Sequence, residues 1–285
     1  MFSARFKIET DNKSTLKDDR IGFYLKDAYL IVLSVYDRID AIIGIQPTMA
    51  FEVSESIWGN RFVEKTIMGL RGIQSSRDFG VSLKTRIDHA GNYKFCLMYG
   101  NNSGLKNEFE MNLLGIKVIR FFFFMSLLKN LSLSLFANYS DAKKIYNSYS
   151  GSFVKNNTST SAFFIGYKER NNYSLGFERF LSLKENDFRK NGKLQNRFLF
   201  GISTFCEYFI FKNLSLFLRA DYFDLNINKT SKSDSRYFYV AGCKYIADEK
   251  VFFSVNVLAE TYEKIQNSRK IDPSITPRFT FFYAF

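Results

Sequence analysis

Successive residues of a β-strand point to opposite faces, so a strictly alternating stretch declares which of its side chains belong together. The segment from Ile275 to Phe285 alternates in this way: Pro277, Phe279, Phe281, Tyr283 and Phe285 share one face, with Thr276, Arg278, Thr280 and Ala284 between them on the other. An apolar, mostly aromatic face must be covered, by a second sheet in a soluble sandwich or by lipid in a membrane barrel. Composition separates the two. The chain carries 33 Phe and 17 Tyr, yet its mean hydropathy is only −0.17. So much aromatic side chain in so polar a chain overfills one soluble core, but it suits lipid-facing rows, aromatic girdles and a polar interior. A spanning helix needs ~20 apolar residues, and the longest candidate, Phe121 to Leu128, is bounded by Arg120 and Lys129. Helical spanning is excluded.

The same alternation recurs along the chain. In Leu131–Tyr139 the odd positions are apolar; in Leu214–Tyr222 the even positions are, with Ser215, Arg219 and Asp221 facing the other way. Tyr173, Leu175 and Phe177 oppose Ser174, Gly176 and Glu178; Phe79, Val81 and Leu83 oppose Asp78, Gly80, Ser82 and Lys84; Val251, Phe253, Val255 and Val257 oppose Ser254, Asn256 and Glu260. Connections alternate too. Short ones fall at Tyr36–Arg38, Asp88–Asn92, Leu128–Asn130, Glu169–Asn172, Lys212–Asn213 and Asp248–Lys250. Longer polar stretches separate them: Asp11–Arg20, Thr48–Ser75, Asn101–Asn107, Asp141–Thr160, Lys184–Gln195, Asn228–Ser235 and Gln266–Ser274. Tight turns at one end and long loops at the other predict an all-β, transmembrane, antiparallel up-and-down β-barrel of about 14 strands, within a range of about 12–16. No linker divides the pattern, so residues 1–285 are expected to form one domain. The segment Glu108–Ile119 loses its alternation and reads as loop or short helix.

Two stretches resemble known families. The closing strand, ending on Phe285, resembles that of bacterial outer-membrane barrels, in which the terminal Phe and the alternating aromatics before it, here Phe281 and Tyr283, are the signal read by the barrel assembly machinery. Ile43-Gly44-Ile45-Gln46-Pro47, Trp58 to Lys65 and Ser75 to Leu83 resemble general and phosphate-selective porins, where a strand ends in a Gly-Gln-Pro-like corner, a long loop with a short helix folds into the channel, and an Arg-Asp-Phe-Gly-Val-like strand resumes. The resemblance implies that Thr48–Gln74 is a constriction loop, that Trp58, Arg61, Lys65 and Arg71 act there, and that the chain forms a homotrimer in the bacterial outer membrane. The dense arginine ladder of phosphate-selective members is absent, so phosphate specificity is not expected. An outer-membrane protein requires a secretory signal, yet Met1 to Arg5 leads straight into an alternating segment. Either the signal has been removed or the reading frame is shortened.

Charge is where function is expected. The polar sides of the strands carry Arg5, Lys7, Lys84, Arg86, Lys94, Lys168, Arg219 and Lys244 against Glu9, Asp78, Glu178 and Asp221. Inside a water-filled pore such an excess of bases favours anions, because the low-dielectric wall strengthens their field. The plainer reading is that they only solvate the lumen and pair with one another. Arg120, beside four Phe, reads as a headgroup-level anchor. The net charge of +12 is scattered rather than gathered on one face, which argues against nucleic acid. Catalysis has little support: the sole histidine, His89, sits in a predicted turn, and no glycine-rich phosphate loop or Cys/His cluster accompanies it. Cys96, Cys206 and Cys243 lack metal-ligand spacing and read as wall residues. The expected function is therefore a porin passing small hydrophilic solutes or ions, with no cofactor and no reaction. The alternative is a ligand-specific or closed outer-membrane barrel, a transporter of hydrophobic molecules or an adhesin.

Overall fold

A computed structural model describes residues 1–9, 24–101, 117–142, 144–147, 149–190, 192–228, 235–263 and 271–283. Strands β1 (Phe2–Glu9), β2 (Tyr24–Tyr36) and β3 (Ile39–Pro47) precede two helices, α1 (Glu52–Trp58) and α2 (Ile67–Leu70). There follow β4 (Arg77–Arg86), β5 (Tyr93–Gly100), β6 (Lys117–Leu128), β7 (Leu131–Asp141) and a short hairpin, β8 (Ile145–Asn147) with β9 (Ser152–Val154). The chain continues through β10 (Thr158–Glu169), β11 (Tyr173–Lys190), β12 (Lys193–Phe211), β13 (Leu214–Asp224), β14 (Arg236–Asp248), β15 (Val251–Tyr262) and β16 (Ser274–Tyr283). Apart from the β8–β9 hairpin, these form a single antiparallel sheet of 14 strands in chain order. No described helix is long and apolar enough to cross a membrane.

The six short connections all turn where the alternation stops. Two of the long ones differ from expectation. Lys184–Gln195 is mostly strand, because β11 and β12 stay paired as far as Lys190 and Lys193, and Asp141–Thr160 contains the β8–β9 hairpin. Backbone pairing beyond the membrane band needs no apolar face, so polar composition hid these strands. The loops at 11–20 and 229–234, most of Asn101–Asn107 and Glu108–Ile119, and the 266–270 part of Gln266–Ser274 lie outside the described residues. So do Phe285 and the side chain of Glu9.

Directly opposed residues in an antiparallel pair share a face, so register carries one face around the whole sheet. From Arg219 it runs through Val240, Leu258 and Thr276 on one side, and through Phe205, Gly176, Gly166 and Ser132 on the other. This face is the inner one, because the loop between β3 and β4 packs on it and touches strands from β4 to β16: Glu52 meets Lys84 of β4, and Glu64 meets Arg278 of β16. Only a sheet curled around that loop allows both contacts. The edges β1 and β16 are not hydrogen-bonded to each other among the described residues.

The outer face carries leucine, valine and phenylalanine between two belts of exposed tyrosine. Tyr93, Tyr208, Tyr245 and Tyr283 lie near the short turns, while Tyr99, Tyr139, Tyr237 and Tyr239 lie toward the opposite ends. That spacing suits an apolar band ≈ 25 Å tall between aromatic girdles. Leu218 is exposed within it, and Leu218→Arg is expected to cost about 2–4 kcal/mol in lipid-based denaturant unfolding. Ser215 faces inward as the alternation requires, but it is fully buried and donates to Glu207 at 2.6 Å, so an arginine there has no lumen to enter.

Candidate functional site: the inner face and its loop

The Thr48–Gln74 loop folds because its own sequence caps and orients two helical turns. Glu52 and Glu55 lie in the first turn of α1, where carboxylates favour the helix dipole. Gly59 ends the helix in the left-handed conformation, φ 65°, and its N–H donates to the Glu55 carbonyl at 3.0 Å. Val53, Ile57 and Trp58 are buried, whereas Glu52 and Ser56 on the other side of the turn are exposed. Trp58 donates its indole N–H to the Glu64 carbonyl at 2.9 Å, which ties the helix to the chain beyond it.

The apolar face of the loop meets an apolar wall, which alternation alone does not reveal. Trp58 lies 5.0 Å from the Phe205 ring and 5.9 Å from Phe217. Phe51, Ile57, Ile67 and Met68 join a buried cluster with Phe122, Phe136, Phe164, Phe180, Phe223 and Phe238, all on inward positions of their strands. Glycines on neighbouring strands make the space. Phe205, Phe180 and Phe217 each stand opposite a glycine, Gly176, Gly201 and Gly242, whose added methyl would overlap the ring. Phe62 packs 5.8 Å from Phe252 and 5.6 Å from Phe282, an inward residue between Phe281 and Tyr283 of the last strand. The expected polar interior is thus corrected at mid-height: the loop fills it with packed hydrocarbon. Continuous apolar triplets such as Leu216-Phe217-Leu218 were the signal, because they leave no polar face.

Polar contacts ring this apolar centre. Arg219 forms a bidentate pair with Asp221, at 2.8 and 2.5 Å, and also donates to the Lys65 carbonyl. Lys244 contacts Glu207 at 2.5 Å, and Lys168 donates to the Ser56 carbonyl near the end of α1 at 2.5 Å. Arg71 contacts Glu260 at 2.5 Å and lies over the Phe223 and Phe238 rings. Arg120 is not a headgroup anchor. It is fully buried on the inner face, 2.5 Å from Asp78, and with the Gln74 amide oxygen turned toward it, that oxygen accepts from Nε and Nη2 at 2.9 and 3.0 Å. Its place in the row of Phe122 and Phe124 indicates as much, since residues two apart share a face.

Apart from Glu9, register places the bases and acids expected on the pore side on this inner face: Arg5, Lys7, Asp78, Lys84, Arg86, Lys94, Lys168, Glu178, Arg219, Asp221 and Lys244. Their environments differ. Asp78, Glu178, Arg219, Asp221 and Lys244 are buried, and Glu178 Oε2 has no hydrogen-bond partner among the described residues. Arg5, Lys7, Arg86 and Lys94 are exposed, and Lys84 is half-buried, 3.9 Å from Glu52. Arg61 pairs with Glu55 at 2.6 Å, and Lys65 is exposed. Sequence reasoning missed two acids that take up bases, Asp27, which contacts Arg77 and lies 3.7 Å from Arg5, and Glu207; it set Glu260 on the polar face but not beside Arg71. His89 is exposed in its turn. Among the described residues no cluster of His, Cys, Asp and Glu is suited to a metal ion.

An up-and-down antiparallel sheet of this kind has counterparts among solved structures. An anion-selective porin from Comamonas acidovorans superimposes with a TM-score of 0.66 at 10% identity, over 100% of this chain and 85% of that one. The fold is that of the outer-membrane porins. OmpT of Vibrio cholerae, expressed in the outer membrane, gives a TM-score of 0.63 at 13% identity, covering 92% of this chain and 81% of its own. The trimer form of the same protein gives 0.61 at 12% identity, covering 99% and 84%. No family model and no curated protein sequence matches the chain. The porin likeness therefore resides in the fold and not in the sequence.

Proposed function

We propose that the chain is an outer-membrane porin, a passive diffusion channel for small hydrophilic solutes with a modest anion preference. One observation carries the preference: acids and bases of the inner face are unequally accessible. Asp27, Asp78, Glu207 and Asp221 are buried beside arginine or lysine, while Lys7, Arg86 and Lys94 remain exposed. A buried pair presents little net field to a passing ion, whereas an exposed unpaired base biases the path beside it. Thr48–Gln74 is the constriction loop in this reading, and the solute path runs past it along the exposed bases. Arg61, Lys65 and Arg71 hold or edge that loop. The trimer form of OmpT supports a homotrimer here. No reaction and no cofactor are assigned.

Reversal potentials across a salt gradient test the preference. Neutralising Lys84, Arg86 and Lys94 together is expected to shift selectivity toward cations at low salt, and the shift should fade at 1 M, where screening acts over only about 3 Å. A cation-selective native protein would remove the charge assignment.

Assembly gives a further expectation, from Phe281, Tyr283 and the resemblance at Phe285. Deleting Phe285 should lower insertion yield in cells well beyond what loss of one side chain's burial explains. A normal yield would argue against recognition of this strand by the assembly machinery.

A further inference from the structure

On β11 the outward positions are Tyr173, Leu175, Phe177, Arg179, Leu181 and Leu183. Tyr173 stands opposite Tyr208 of the belt near the short turns, and register carries Leu183 through Ser159 to Tyr139 of the other belt. Arg179 lies between those levels, exposed on the face that meets lipid. Among the described outward positions of the sheet strands from β5 to β14, it is the sole charged residue between the belts. A charge at that depth destabilises a barrel unless a counter-charge or the membrane surface takes it up. No carboxylate does so among the described residues. Two acids nearer the long-loop end are engaged elsewhere: Asp224 accepts from the Tyr222 hydroxyl at 3.3 Å and the Asn226 N–H at 2.8 Å, and Asp187 contacts Arg197 at 2.7 Å.

The guanidinium leans toward the long-loop end. Its central carbon lies 5.4 Å from the centroid of Phe200, one outward position closer to that end than Ile202, which stands directly opposite Arg179. Phe200 in turn packs 6.3 Å from Tyr222. The stem thus runs along apolar surface and carries the charge toward the rim of the band, where lipid headgroups begin. Beside it the wall is hollow. Phe121, Ala137, Ser161 and Leu181 oppose one another in a row across β6, β7, β10 and β11. Two small residues between two large ones leave a trough about two strand spacings wide, roughly 10 Å. A groove of about 440 Å³ occupies it, bordered by Arg179. Its apolar surface is open, with Phe121 47% and Leu135 46% exposed. Ser161 and Ser159 add exposed hydroxyls to this lipid-facing stretch.

Three occupants can be weighed by charge. A second copy of the chain brings no carboxylate from β5 to β14 at this depth, because Arg179 is the only outward charge there. An uncharged lipid fills the trough but leaves the guanidinium unpaired. An anionic lipid answers both features. We propose that this site holds one membrane lipid with an anionic phosphate headgroup, its phosphate against Arg179 and one acyl chain in the trough over Ala137 and Ser161. The guanidinium fork matches phosphate oxygens through charge-assisted hydrogen bonds, and the serine hydroxyls can donate to the ester carbonyls of the lipid. The inference rests on the barrel fold and is independent of conduction.

Phosphatidylglycerol is the probe. The full chain, folded in detergent micelles, is given equal amounts of phosphatidylglycerol and phosphatidylcholine, and the lipids retained per chain are counted by native mass spectrometry. The native chain is expected to retain about tenfold more phosphatidylglycerol than phosphatidylcholine, because only the former leaves a net negative charge for the guanidinium. Arg179→Leu suits a lipid-facing position, so the fold persists, and the preference should fall to about twofold or less. Arg179→Lys keeps the charge without the fork and should lie between the two. Inorganic phosphate in excess should leave the native preference unchanged, since it has no chain for the trough. Denaturant unfolding supplies a second reading. In vesicles of phosphatidylcholine alone Arg179→Leu should unfold at higher denaturant than the native chain, and added phosphatidylglycerol should narrow that gap. Equal retention of the two lipids by the native chain, an unchanged preference in Arg179→Leu, displacement by inorganic phosphate, or a gap that phosphatidylglycerol does not narrow would each overturn the proposal.

Discussion

Asp78→Ala is expected to destabilise the folded chain by about 3–5 kcal/mol, because it removes the carboxylate that the buried guanidinium of Arg120 meets at 2.5 Å. Both side chains are fully buried, 2.5 Å apart, on inner-face positions of β4 and β6, and they meet across Gly100 of the strand between. Desolvating a charge is tolerable only while a counter-charge accompanies it. The double variant Asp78→Ala/Arg120→Met should recover much of the loss, since it replaces both members of the buried pair with apolar side chains. Denaturant unfolding of the two variants in one lipid system decides this. A double variant as unstable as the single one would show that the pair is not what Asp78 supports.

Trp58→Ala is expected to cost about 3–5 kcal/mol as a large-to-small substitution at a packed site. The indole has no exposed surface, it contacts the Phe205 and Phe217 rings, and its N–H holds the chain at Glu64. Because this residue anchors α1 to the wall, its loss should also loosen the loop and raise single-channel conductance. Trp58→Phe, which keeps most of the ring contact but not the N–H donor, should cost less and change conductance less. Conductance unchanged in Trp58→Ala, with stability reduced as expected, would show that the loop does not bound the solute path.

Much of the wall was legible because period-two alternation is a direct image of a two-faced sheet. It assigned Leu216 and Leu218 outward and Arg219 and Asp221 inward, in agreement with register. It failed where both faces are apolar. Phe217 and Phe282 sit inside yet follow the outward residues in character, since the loop gives them hydrocarbon to pack against. The wall's partners for Trp58 lie on β12 and β13, far along the chain, so no local pattern could pair them. Charge pairing was hidden for a related reason: Arg71 and Glu260 meet at 2.5 Å only once the sheet has curled. A tally of bases and acids strand by strand therefore overstates the charge a solute meets.

Packed hydrocarbon at mid-height and exposed bases beside it make one requirement of the account: a water-filled path must still run past the loop. Reconstitution of the full native chain into planar bilayers measures that path directly. The expected result is stepwise, ohmic current, with a reversal potential on the anion side at low salt. Insertion into the bilayer without any such steps would contradict the channel and favour a closed barrel.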